Sequence, residues 1–378
     1  MIRSVIVKLR KDAAVDAALQ SALDRCRDLY NAALQERRDA YRHHGASPSF
    51  YDQCKSLTEI RAADPVFDAL DCTMLRLTAL RRVDLAYKAF FRRVKAGETP
   101  GYPRFKGRDR FDTLVFGPKG WRLTGGKLRL NGLGPVRVKG NPHRTGVPKG
   151  LRLVRKAGRW YAHVLLDIGA APLVQQSHHG VGIDVGLRTF ATMSDGTTVE
   201  HPRFLRDSLA ELRRAQQALV RKRRGSRRRR IAKAKLARVH HRIANRRHNF
   251  VHQTVAELAR RYDGFAIEDL DIVELAQQGG TDKAARGLRR GIMDSAWGAF
   301  GQALASKAEE AGMPLVRVPP RGTSQRCSGC GSVVRKTLRD RVHDCPACGL
   351  VLDRDVNAAR NIHDLGWRSA APSAAEDR

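Results

Sequence analysis

The spacing of apolar and polar positions changes several times along the chain, and each change marks a boundary. Ile2 to Leu9 alternates and predicts a strand. From Ala13 to about His43 the spacing becomes helical, with Ala18, Leu19, Leu23, Cys26, Leu29 and Tyr30 on one face. Further helical tracts run from Tyr51 to about Ala63 and from Phe67 to about Val94, the last stopped by Gly97 and Pro100. Past Gly101 the period returns to two. Trp121 to Leu130 alternates around Gly125-Gly126, a hairpin signal, and Pro135 to Lys139, Leu151 to Arg155 and Trp160 to Asp167 continue the series. Together with the N-terminal strand these predict a small barrel interrupted by a helical insertion. Residues 171–179 read as a polar, proline-containing linker.

A second pattern starts at Gly180. Val181 to Ala191 reads as one central strand, mostly apolar and β-branched, yet it carries Asp184. A carboxylate inside such a strand is costly unless it meets a cation or a hydrogen-bond donor. Another strand follows the turn Ser194-Asp195-Gly196, and then come two long helices, the first opened by the capping-box pattern Ser208-x-x-Glu211. Leu236, Val239, Ile243, Phe250, Val255 and Leu258 predict the buried stripe of the second. Phe265 to Leu270 is a short apolar strand with Glu268 at its end, and residues 276–292, rich in Gly and Arg, are expected to be mobile. Trp297, Phe300, Leu304 and Ala308 mark an amphipathic helix stopped by Gly312 and Pro314, followed by a strand from Leu315 to Val318. Asp355, Ala358, Ala359 and Ile362 share a last helix, and the small, polar residues 368–378 are expected to be disordered. The pattern predicts a multidomain α/β protein with an additional β-barrel.

Charge narrows the partners. Across 378 residues, 71 Lys and Arg face 38 Asp and Glu, a formal net charge of +33 that calls for a polyanion, ordinarily nucleic acid. Charge alone leaves ribosomal-type binding, membrane-surface binding and nucleic-acid enzymology open. The chain has no 18-residue apolar run and no signal-peptide core at Met1, so a soluble, cytoplasmic protein is expected. The densest basic run supplies Arg221, Lys222, Arg223, Arg224, Arg227, Arg228, Arg229 and Arg230 as candidate phosphate contacts, the alternatives being a nuclear-localisation-like run or a flexible basic loop.

Two motifs carry chemistry. Cys327 and Cys330 pair as Cys-x-x-Cys, as do Cys345 and Cys348, with 14 residues between the pairs. That arrangement suits one structural Zn²⁺, although the spacer is one residue shorter than usual. A redox pair needs only one such motif, and disulfides do not suit an intracellular protein. Cys26, Cys54 and Cys72 lack motif spacing and read as small apolar fillers. The second motif is dispersed. Asp184, Glu268 and Asp355 are 84 and 87 residues apart, and each alone reads equally well as a cap or an ion-pair partner. A sheet whose strands end at one edge would gather them, and three carboxylates around two Mg²⁺ are machinery for phosphodiester hydrolysis.

AYKAFFRRVKAGETPGYPRFK (86–106), GIDVGLRTFATMSDG (182–196), NRRHNFVHQTVAELARRYDGFAIEDL (245–270), then TSQRCSGCG, CPACG and DRDVNAARNI occur in this order. In these segments the chain resembles the TnpB family, RNA-guided nucleases of insertion sequences related to compact type V CRISPR effectors. The resemblance implies an RNase H-like (RuvC) nuclease domain over residues 180–322 and 351–367, a zinc ribbon over 323–350, a wedge barrel over 1–12 and 101–170, and a helical recognition domain over 13–100. It implies Asp184, Glu268 and Asp355 as the catalytic triad holding two Mg²⁺, with Asp353 and Asp269 adjacent acids outside it. It also implies a guide RNA from the end of the mobile element, double-stranded target DNA bearing a short flanking motif, and residence at the nucleoid. A guided repressor that does not cut, a non-catalytic zinc protein and a DNA transposase are the rival readings.

Overall fold

The computed structural model describes residues 1–140, 145–277, 283–337 and 340–368. The chain divides into two compact units, Met1–Ala170 and Ala171–Arg378.

In the first unit, β1 (Ile2–Leu9) precedes α1 (Ala13–His44) and α2 (Phe50–Ala63). The tract expected as one helix from Phe67 is broken into α3 (Pro65–Asp68), α4 (Cys72–Leu75), a π-helical turn (Arg76–Leu80) and α5 (Arg81–Lys95). The breaks have a local cause. Asp64 and Asp71 each turn a carboxylate onto the amides that follow, accepting from Val66 at 2.8 Å and Met74 at 2.7 Å, so each starts a new helix. Six strands follow: β2 (Thr113–Phe116), β3 (Trp121–Thr124), β4 (Lys127–Leu130), β5 (Gly134–Lys139), β6 (Val147–Lys156) and β7 (Arg159–Asp167).

They join β1 in one antiparallel sheet of order β2-β6-β7-β1-β5-β4-β3, and their inward residues share a core with α1, α2 and the π turn. The β3–β4 turn has φ of 56° at Gly125 and 71° at Gly126, the left-handed pair that a two-residue hairpin of this twist requires. Sequence periodicity missed β2. It is a four-residue edge strand, held on β6 and by Thr78, whose hydroxyl accepts from the Val115 amide at 2.8 Å.

In the second unit the expected single strand from Val181 to Ala191 is a hairpin, β8 (Gly180–Val185) and β9 (Thr189–Met193), because the chain reverses at Gly186, Leu187 and Arg188. Next come β10 (Thr198–Glu200), α6 (Phe204–Val220), α7 (Arg227–Arg261), β11 (Gly264–Glu268), α8 (Ile272–Gln277), α9 (Lys283–Ser295), α10 (Trp297–Ala311) and β12 (Leu315–Val318). The chain finishes with the short pair β13 (Val342–Asp344) and β14 (Val351–Asp353), then α11 (Arg354–Arg368).

The main sheet has the order β10-β9-β8-β11-β12, with β8, β11 and β12 parallel. Its two faces are covered differently. Val181, Ile183, Phe265 and Ile267 point to a core completed by α7 and α10, where Val251, Val255, Phe300 and Leu304 are buried. On the other face α11 lies directly on the strands. A Cβ at Gly182 would meet the Ala359 carbonyl at 2.1 Å, and one at Gly366 would meet Ala266 at 2.6 Å, so glycine is what lets helix and sheet close.

Two other expectations are corrected. Ser208 does not start α6. The helix begins four residues earlier, at Phe204, and Asp294 from α9 accepts from the Leu205 amide at 3.1 Å, a cap invisible to local pattern. Arg227 to Arg230 are the first turn of α7 rather than loop, with Ser226 capping the helix through the Arg229 amide at 3.1 Å. Within the segment expected to be mobile, residues 283–292 belong to α9, while 278–282 lie outside the described residues, as does the tail 369–378.

Candidate functional site

Period two and parallel register bring the first two acids together. Gly182 and Asp184 face the α11 side of β8, as Ala266 and Glu268 do on β11, and Ile183 is in register with Ile267. Asp184 and Glu268 therefore follow one position later, side by side at the carboxyl ends of adjacent parallel strands. Open α/β sheets bind ligands at that edge.

The third acid arrives through the cysteine knob. Cys327-x-x-Cys330-Gly331 and Cys345-x-x-Cys348-Gly349 fold into matching knuckles, in which the Gly331 and Gly349 amides return to the carbonyls of Cys327 (2.9 Å) and Cys345 (2.8 Å). Both glycines have positive φ, 79° and 70°. The sulfurs of Cys327 and Cys348 are 3.7 Å apart, those of Cys330 and Cys345 are 3.6 Å apart, and all four lie within 4.8 Å of one another. A tetrahedron with Zn–S bonds of about 2.3 Å has edges of about 3.8 Å, so the four thiolates fit a structural zinc. From the second knuckle, β14 runs straight into α11. Asp353 caps that helix, accepting from the Asp355 amide at 2.7 Å and the Val356 amide at 3.3 Å, and Asp355 in the first turn is near enough for its charge to act on Asp184.

Electrostatics registers the convergence. The Asp184 carboxyl is pushed well above the usual carboxylate range, first by burial and then by the negative charges of Glu268 and Asp355. Burial also raises Glu268, against the Thr323 hydroxyl that donates to it. Asp355 is raised by burial and by Asp353, opposed by Arg341, Arg354 and Arg188. A buried Asp184 whose proton affinity is raised by two neighbouring carboxylates forms a site that a divalent cation would relieve. Asp269, adjacent to Glu268, is exposed and faces Arg317 at 3.4 Å.

Three residues that pattern analysis did not single out hold this arrangement. Thr323 Oγ1 donates to Glu268 Oε1 at 2.5 Å. Asn361 Nδ2 donates to the carbonyls of Thr323 and Arg326, both at 2.7 Å, and Asn357 Nδ2 donates to that of Arg326 at 2.8 Å. Asn357 Oδ1 accepts from the Ser328 amide at 2.9 Å. Both asparagines are buried on α11. The first knuckle, the Glu268 carboxylate and the helix carrying Asp355 are thus one hydrogen-bonded assembly. The available signal was two asparagines four residues apart on the apolar stripe of Ala358 and Ile362, where an amide is expensive without partners.

The basic run divides. Arg221, Lys222, Arg223, Arg224, Arg227, Arg228 and Arg230 are exposed, whereas Arg229 Nη1 donates to the carbonyls of Leu219 (3.0 Å) and Lys222 (2.9 Å) and ties the turn between α6 and α7.

A mixed sheet with acids at its carboxyl edge and a four-cysteine knob before its last helix places the chain in the fold class of the compact CRISPR effectors. It covers 93% of its length on 83% of a chain from the cryo-EM structure of a Cas12f1–sgRNA–target DNA complex, at a TM-score of 0.55 and 12% identity, a likeness of fold alone. The OrfB_IS605 family, described as "Probable transposase", matches residues 163–278, and the Cas12f1-like TNB domain matches residues 297–362. A relative from Escherichia coli (strain K12), named "Putative RNA-guided DNA endonuclease InsQ", is 30% identical over 377 residues, 95% of this chain and 91% of the relative. One of the same description from Streptomyces pristinaespiralis is 31% identical over 356 residues, 91% of this chain and 84% of the relative. The chain belongs to the TnpB family.

Proposed function

We propose that the protein is an RNA-guided DNA endonuclease whose RuvC-like site is Asp184, Glu268 and Asp355. The observation that supports this most directly is the side-by-side placement of Asp184 and Glu268 at the carboxyl ends of adjacent parallel strands, with the charge of Asp355 reaching Asp184 from α11. Their oxygen donors suit two Mg²⁺, which when bound would activate water and stabilise the leaving oxygen in phosphodiester hydrolysis. Asp184 and Glu268 hold fixed positions on adjacent strands, Asp355 closes the site from the helix, and Thr323 keeps the Glu268 carboxylate oriented. Being only partly buried, the acids are open to a strand laid across the edge.

In this reading residues 180–322 and 351–367 form the nuclease domain, 323–350 the zinc ribbon, 1–12 and 101–170 a wedge barrel, and 13–100 a recognition domain. Base pairing by the guide supplies sequence choice, while the basic surface, including Arg221 to Arg228 and Arg230, holds phosphates. The test is purification after co-expression with the DNA flanking the gene, sequencing of bound RNA, and incubation with Mg²⁺ and plasmids carrying a matching target beside randomised bases. Guide-dependent breaks that vanish in Asp184→Ala are expected. Bound RNA and target without breaks would indicate a guided repressor, joined strand-transfer products a transposase, and absence of a discrete RNA would remove guidance.

A further inference from the structure

The first unit carries a cluster of aromatic rings on its surface that its own core does not require. Phe91 on α5 is 57% exposed, Tyr102 43% and Phe105 44%, and the last two lie on the extended strap that follows α5. They are not scattered. Phe90 meets Phe91 and Tyr102 edge-on, with centroids 5.2 Å apart in each case. Tyr102 is anchored by a 3.0 Å hydrogen bond between its hydroxyl and that of Tyr87, so the platform is held from beneath. The Arg38 guanidinium lies over both Tyr102 and Phe105, 5.5 Å and 5.2 Å from their centroids.

An exposed apolar patch of this kind marks a contact surface, and its surroundings indicate what it contacts. Arg92 and Arg104 beside it are exposed. Among the acids of α5 and the strap, Asp84 is held by Arg81 (2.8 Å) and Lys88 (3.1 Å), which leaves Glu98. A protein partner docking on apolar rings would have to accommodate the flanking cations. Unpaired nucleotides satisfy both features at once, since every base has a face that stacks on a ring and every linkage carries a negative charge. Rings combined with an arginine plane are the surface on which bases splayed from RNA loops stack.

We propose that Phe91, Tyr102, Phe105 and Arg38 form a stacking platform for unpaired bases of the bound RNA. This rests on the RNA-guided reading above. The platform holds bases by their faces and so is indifferent to which base is present.

The test uses the full-length protein, the RNA that co-purifies with it, and a short single-stranded RNA carrying 4-thiouridine. Phe91→Ala and Phe105→Ala should each weaken RNA binding about tenfold while the slope of log affinity against log salt stays unchanged. Arg92→Gln with Arg104→Gln should instead flatten that slope by about 0.7 per charge removed. Crosslinks from 4-thiouridine should map to the peptides of Phe91, Tyr102 or Phe105. Phe91→Leu keeps an apolar side chain without a ring, and it should bind as weakly as Phe91→Ala. Full affinity in Phe91→Leu, full affinity in the Phe91→Ala/Phe105→Ala double variant at wild-type Tm, or crosslinks confined to other peptides would each overturn the platform. Wild-type protein that binds no RNA would overturn the RNA-guided reading and the platform with it, whereas wild-type binding with unaffected variants removes the platform alone.

Discussion

The two candidate metal centres of the second unit are built on opposite principles. The four cysteines come from two knuckles within 22 residues, each closed by its own backbone turn, and the two face each other with their sulfurs at tetrahedral spacing. The three acids come from β8, β11 and α11, far apart in the chain, and no local turn relates them. What relates them is sheet register, a glycine-permitted helix contact and hydrogen bonds from the zinc knob. The difference implies a direction of dependence: the cysteine centre can form without the acid centre, but the acid centre leans on the cysteine centre.

The largest effect should come from breaking the supporting side. Cys345→Ser should lose zinc and, with it, cleavage and much of the stability of the second unit, since structural zinc contributes about 10–16 kcal/mol of apparent binding energy to folding. Zinc content by atomic absorption, calorimetric Tm and cleavage should fall together. The reverse test should be one-sided. Asp184→Ala should abolish cleavage, leave zinc content at wild-type level and not lower Tm, and a loss of zinc there would refute the proposed dependence.

Between these lies the linkage itself. Asn361→Ala leaves the Thr323 carbonyl without its donor while the Arg326 carbonyl keeps Asn357, and an orphaned buried group costs about 1–3 kcal/mol, so Tm should drop by several degrees with zinc retained. Thr323→Val removes only the hydroxyl that orients Glu268. Loss of such a supporting hydrogen bond should lower activity about 10–100-fold and raise the Mg²⁺ concentration for half-maximal cleavage, with Thr323→Ser restoring both.

The smallest expected effect is a pH dependence of stability. Asp184 has a folded-state pKa above its unfolded value, so between the two the native state holds a proton that the unfolded chain gives up. Stability in Mg²⁺-free buffer should therefore decline as pH rises from the ordinary aspartate range and level off above the raised value. Added Mg²⁺ should stabilise the protein most at the alkaline end, and Asp184→Asn should flatten the profile. Calorimetric scans across pH with zinc retained read all three, and a profile that rises with pH would contradict the buried-acid account.

Much of this molecule was legible in its pattern. The Gly125-Gly126 hairpin, α1, α2, α10 and the buried face of α11 follow from periodicity and from residues with a local conformational preference. Three of the misses share one cause. α6 starts at Phe204 because Asp294, remote in sequence, caps it, and β2 is a strand because β6 and Thr78 hold it. Arg229 looked like its exposed neighbours until its guanidinium was seen closing the turn between two helices. Each outcome depended on a partner distant in the chain.

The same division runs through the site. Residue order settles the cysteine knuckles, the charge and the presence of acids in apolar strands, because these depend on neighbours a few residues away or on composition. Whether Asp184, Glu268 and Asp355 meet, and that Thr323 and Asn361 hold them, depends on which strands pair, in which direction and how closely α11 approaches. Those are long-range contacts whose energies no local stretch of sequence encodes, so they exist only in the folded unit.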